Sequence, residues 1–106
     1  MIDFKYIFFN IMTELISIKK SSAKNKKYTA TFKNAGKEKK IHFGALGYLD
    51  YTIGATKQQR ENYRSRHAKD QINKGQTAGA LSYYILWGDS KDIQTNIKHY
   101  KNKFNY

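Results

Sequence analysis

In the first half of the chain apolar and polar side chains alternate, and in the second half they recur every three or four residues. Tyr28, Ala30 and Phe32 fall on one face while Lys27, Thr29, Thr31 and Lys33 fall on the other, the period of two expected of a half-buried strand. A shorter strand, rich in β-branched residues, is expected over residues 13–18. A third is expected over residues 39–43, with Ile41 and Phe43 inward and Lys40 and His42 outward. The polar stretch at residues 21–27 and the Asn34-Ala35-Gly36 loop supply the two turns, the second with residues that tolerate positive φ. Three such strands make a small antiparallel sheet, one face of which needs a cover.

The cover is legible downstream. Gly44 and Gly47 bracket a tight turn followed by Tyr48, Leu49 and Tyr51, and the simplest place for these side chains is the core beneath that turn. Thr56 with Gln59 is a capping-box pattern, predicting a helix that runs to about Asn73 and stops at Gly75. Thr77 caps a second helix ended by Gly88, with Ala78, Leu81, Ile85 and Leu86 as its buried stripe and Gly79 and Ala80 allowing close approach. Asp89 or Ser90 caps a last helix, in which Ile93, Ile97, Tyr100 and Phe104 share a face and Lys91, Lys98, Lys101 and Lys103 lie opposite. The expectation is an α+β fold: a small three-stranded antiparallel sheet followed by two or three helices packed on one face, in a single domain over residues 12–106.

Residues 1–11 are the most apolar stretch, yet their apolar run is far shorter than the roughly 20 residues that cross a bilayer, and Asp3 and Lys5 break it. No small-residue cleavage site follows, so neither a secretion signal nor a membrane partner is expected. One reading makes this stretch an N-terminal extension ahead of a natural start at Met12; the other makes it a helix packed on the domain.

Composition changes this picture in two ways. Aromatic residues are 15% of the 106, with nine Tyr and six Phe, so large rings must supply much of the burial. The net charge of +12 implies self-repulsion that nucleic acid, an anionic membrane surface or an acidic protein partner would relieve, the alternative being that the abundance of Lys and Asn reflects an AT-rich genome. Without cysteine there is no disulfide and no thiolate metal site. His42, His67 and His99 fall in three different elements, so no metal and no cofactor is expected. A nuclease assembled from His42, Asp50, His67 and Arg64 is chemically conceivable, but no spacing favours it, and no enzymatic activity is expected. Helix-turn-helix binding is disfavoured because the second helix, which would have to read the groove, is the apolar one.

Arginine placement is the sharper signal. The chain uses lysine seventeen times and arginine three times, and all three arginines lie on the Thr56-capped helix. There Arg60, Arg64 and His67 share a face, Tyr63 and Arg66 sit beside it, and Lys57 and Lys69 extend the charge at its ends. Arginine's planar fork suits phosphate or carboxylate and stacks on rings, which lysine does poorly. These six basic residues are therefore the candidate nucleic-acid or anion site. The alternative is a structural cluster in which an arginine stacks on Tyr48 or Tyr51 or pairs with Asp50, the only acidic residue of the turn.

The succession Phe43-Gly44, Gly47 with Asp50-Tyr51-Thr52, Tyr63-Arg64-Ser65-Arg66-His67 and Leu86-Trp87 resembles a family of small uncharacterised proteins of giant nucleocytoplasmic DNA viruses and some phages. The resemblance covers most of the chain, and it departs where that family carries a Trp and this chain has Gln71-Ile72-Asn73. It implies a viral protein in the host cytoplasm, the viral factory or the virion, and implies no activity. The residues then support two expectations: a small basic protein binding DNA or RNA through phosphate contacts, or a structural or adaptor protein of a virion whose arginine helix docks on an acidic viral protein.

Overall fold

A computed structural model of the chain describes residues 12–70 and 72–106; the expectations for the extension at 1–11 fall outside them. Strands β1 (Thr13–Lys20), β2 (Lys26–Asn34) and β3 (Lys37–Ala45) form an antiparallel sheet in the order β1-β2-β3. The register sets Leu15 opposite Phe32, Ile18 and Ile41 on either side of Ala30, and Phe43 opposite Tyr28, which gathers the apolar residues on one face. Leu15 and Ile18 are three apart and would face opposite ways in a regular strand. A bulge between Leu15 and Ser17 resolves the conflict by setting the extra residue, Ile16, half into solvent. At the second hairpin Asn34 pairs with Lys37, leaving Ala35 and Gly36 with φ of 50° and 87° as a two-residue turn.

The helical layer departs from expectation in its boundaries. Helix α1 (Lys57–His67) starts with the capping box: Thr56 Oγ1 accepts from the Gln59 amide at 3.1 Å, and the Thr56 amide donates to Gln59 Oε1 at 2.7 Å. It stops at His67, six residues short of Asn73, because between Tyr63 and Ile72 the chain offers no apolar side chain larger than Ala68 for a continued helix to bury. Asp70 instead folds back on the end, its amide donating to the His67 carbonyl and its carboxylate meeting His67 Nδ1.

Helix α2 (Ala78–Leu81) is capped by Thr77 as expected, but after one turn it widens into a π-helical segment at Ser82–Leu86, closed by the Trp87 amide on the Ser82 carbonyl five residues back. Ala78 lies outside the buried stripe, and Tyr83 enters it. Helix α3 (Ile93–Phe104) is capped by Asp92 rather than Asp89 or Ser90. The Asp92 carboxyl is held below its ordinary value by hydrogen bonds from the Thr95 hydroxyl and amide.

The core joins Leu15, Ala30, Phe32 and Phe43 of the sheet to Leu81, Ile85 and Leu86 above it and Tyr100 of α3. Each large side chain so buried contributes about 1.5–3 kcal/mol. Fully buried Asn96 sits among them with every polar atom bonded: its amide donates to the carbonyls of Ile85 and Ser90, and its oxygen accepts from the Ser90 amide. Gly88 makes this possible, since a Cβ there would lie 2.3 Å from the Tyr84 carbonyl oxygen and 2.7 Å from Asn96 Cγ.

Candidate functional site

Residues 44–55 leave β3 and return to the helical layer as an aromatic loop. Gly44 begins it at φ 81°, in the only space available: a Cβ would meet Leu86 Cδ1 at 2.8 Å and Lys27 Cβ at 3.1 Å. The loop is held from inside by Asp50, which is buried. One carboxylate oxygen accepts from the Thr52 amide and hydroxyl, and the other accepts from Lys27 Nζ at 2.7 Å. Lys27 also donates to the Tyr48 carbonyl at 2.6 Å, and the two charged side chains are only 8% and 2% exposed. The partner of Asp50 is thus a lysine of β2 and not an arginine. With the ion pair filling the space under the loop, Tyr48 is 73% exposed and Leu46, Leu49 and Ile53 are also in solvent, so the rings of this turn are not core plugs.

The arginines divide. Arg60 Nε donates to the Gly88 carbonyl at 2.7 Å and its Nη2 to Asp89 at 2.6 Å. Arg64 donates from Nη1 to the carbonyls of Tyr83 (3.0 Å) and Trp87 (2.8 Å), with its guanidinium 3.9 Å from the centre of the Tyr83 ring. These are the carbonyls that the π-helical segment and its exit leave over, so two arginines cap that segment from the side. Neither stacks on Tyr48, and Arg60 passes the Tyr51 ring at 5.6 Å. Arg66 lies in solvent, as do Lys57 at the start of α1 and Lys69 beyond its end. His67 stacks on Tyr63 at 4.2 Å between ring centres, and Tyr63 in turn lies nearly parallel to Trp87 at 4.4 Å. Burial pushes the Tyr63 phenol above its ordinary value, with the Asp70 carboxylate adding to the effect.

Between the aromatic loop and α1 runs an open groove of about 820 Å³. Tyr48 and Leu49 form one wall, Tyr63, Arg66 and His67 the other, and Leu86 with Trp87 the floor. The structure therefore brings Arg66 and His67 to this groove together with Gly44, Asp50, Tyr63 and Trp87, and takes Arg60 and Arg64 away from it to the π-helical segment. Gly47 lies on the outer side of the loop, Tyr51 turns toward Arg60, and Phe43 is core.

Three groove residues carry no sequence signal that marks them as part of a site: Lys27, one lysine among many, Gln59, whose signal is that of a helix cap, and Asn62, which reads as ordinary helix surface. The helical spacing of Gln59, Asn62 and Arg66 was the sign available. Among the described residues no group of three His, Cys, Asp or Glu side chains is placed to hold a metal ion, and no helix is long and apolar enough to cross a membrane.

Residues 16–67 match the model of a family described as a family of unknown function (DUF5754). That span holds most of the sheet, the aromatic loop and α1, so it contains both walls of the groove, while the π-helical floor lies beyond it. No curated protein and no solved structure matches the chain.

Proposed function

We propose that this chain is a small nucleic-acid-binding protein that contacts phosphates through exposed basic residues along α1 and just beyond its end, and performs no chemical step. The observation that carries the reading is the division of the arginines: Arg60 and Arg64 are held by backbone carbonyls, whereas Arg66 stands in solvent at the rim of a groove in a chain of net charge +12. Lys57, His67 and Lys69 complete the contact set, and Arg60 and Arg64 act by fixing the platform. The resemblance to small viral proteins supports a role on a viral genome, in the host cytoplasm, the viral factory or the virion. Each phosphate neutralised releases about 0.9 counterion on duplex DNA, so affinity should fall steeply with salt. Replacing Lys57, Arg66 and Lys69 together by alanine should flatten the slope by roughly 2–3. A titration of DNA and RNA at two salt concentrations tests this, and absence of binding at low salt refutes it.

A second reading is an acidic viral protein as partner. It is favoured by Leu46, Tyr48, Leu49 and Ile53, four large side chains exposed on one loop beside basic residues, since apolar and aromatic anchors within a charged rim are how protein interfaces are built. Co-purification of a partner that survives nuclease treatment and is lost in Tyr48→Ala would select it.

A further inference from the structure

We propose that the groove between the aromatic loop and α1 takes an unpaired base of a single-stranded nucleic acid, with the neighbouring phosphate on Arg66. This rests on the phosphate-binding reading above and specifies its ligand. The volume of about 820 Å³ falls within the range of small-molecule sites and is far more than a phosphate oxygen needs. The walls are flat rings. Tyr48 stands exposed on one side, Tyr63 with His67 stacked on it lies on the other, and Trp87, parallel to Tyr63, lies at the floor. Base-on-ring stacking is tolerant of sequence and works only where bases are unpaired and splayed.

The polar groups of the groove point the same way. Gln59 offers its amide NH₂, because its oxygen already accepts from the Thr56 amide, a partner that can only donate. The Asn62 oxygen likewise accepts from Gln58, leaving its NH₂. With Arg66 these residues stand at i, i+3 and i+7, one helix face lined with donors above an apolar floor. The ligand that fits is rich in acceptors and also flat: base carbonyls and ring nitrogens beside a phosphate. Lys27 in the depth of the groove is already neutralised by Asp50, so the charge that selects the ligand sits at the rim, where a backbone passes, and not on the floor, where a neutral base rests. An acidic peptide would supply the acceptors without the ring, and a duplex keeps its rings stacked inside.

Trp87 is the only tryptophan and lies in the groove, so its fluorescence reads occupancy directly. The full chain is titrated at low salt with a single strand of about twelve nucleotides, an abasic strand with the same phosphates, and the matching duplex. Fluorescence and anisotropy are followed together. The expected result is quenching by the base-bearing strand alone and affinity about tenfold above that of the abasic strand. Tyr48→Ala should abolish that tenfold difference while binding the abasic strand as the parent does. Equal affinity for base-bearing and abasic strands, or a preference for duplex, overturns the base site and leaves phosphate binding standing. Failure to bind any of the three overturns both.

Discussion

Replacing Arg64 by lysine keeps the charge and most of the length while removing the fork. In the parent, the guanidinium reaches the Tyr83 and Trp87 carbonyls at once and lies 3.9 Å from the Tyr83 ring centre. A hydrogen bond from a charged donor contributes about 1.5–3 kcal/mol, and a cation over a ring about 0.5–2 kcal/mol. Lysine can recover one bond as a point charge but not both together with the stacking. The net loss should be about 2 kcal/mol, and about 3–4 kcal/mol for Arg64→Ala, which leaves two carbonyls of the π-helical segment without a donor. For a domain near this size 1 kcal/mol moves the melting temperature by about 4–8 °C, so Arg64→Lys should melt roughly 8–16 °C lower. Arg66→Lys, on the same helix and in solvent, should stay within about 2 °C. Thermal melts followed by circular dichroism, with polyanion titrations alongside, measure both. The reasoning is refuted if Arg64→Lys melts with the parent while its polyanion affinity collapses, because the guanidinium would then be working outward.

Other outcomes follow from single contacts. Asp50→Ala leaves Lys27 buried without its carboxylate and should cost about 3–5 kcal/mol, whereas replacing Lys27 and Asp50 together by apolar residues should recover much of that; chemical denaturation of the three variants decides. Gly88→Ala drives a methyl into the Tyr84 carbonyl and Asn96, and should destabilise by about 2 kcal/mol or more, visible as a lower denaturant midpoint. Alkaline pH should unfold the protein. Burial raises the Tyr100 and Tyr63 phenols above their ordinary value of 10.0, so above that pH the unfolded chain gives up protons that the fold retains. The stability is fully present below about pH 10 and falls as pH rises beyond it, and Tyr100→Phe should make the decline shallower in urea titrations across that range.

The sheet was readable because β2 is its central strand: Tyr28, Ala30 and Phe32 meet neighbours on both sides, and nothing competes with their alternation. β1 was harder, since Leu15 and Ile18 reach one face only through a bulge that no local residue announces. The arginine helix was found, its capping box was found, and the α+β order followed from the switch of period. What the sequence did not reveal is where the arginines point, because their partners are backbone carbonyls set free by a π-helical turn, and carbonyls have no letter in a sequence. The exposure of Tyr48 was hidden for a related reason. It depends on Lys27, twenty-one residues earlier, taking the place beneath the loop.

The sheet also has a history. The apolar face of β1–β3 is complete in sequence by Ala45, yet its cover comes from α2, the π-helical segment and α3, and β1 receives a last hydrogen bond from the Leu15 amide to the Tyr106 oxygen at 3.2 Å. At a synthesis rate of about 5–20 residues per second the chain spends roughly 3–12 s with Phe32 and Phe43 made and their lid unmade. Throughout that interval β3 is an open edge, and it begins with Lys37, Glu38, Lys39 and Lys40, four consecutive charges that oppose pairing with another nascent chain. The same charges go on guarding that edge in the finished fold, where β3 still pairs on one side only.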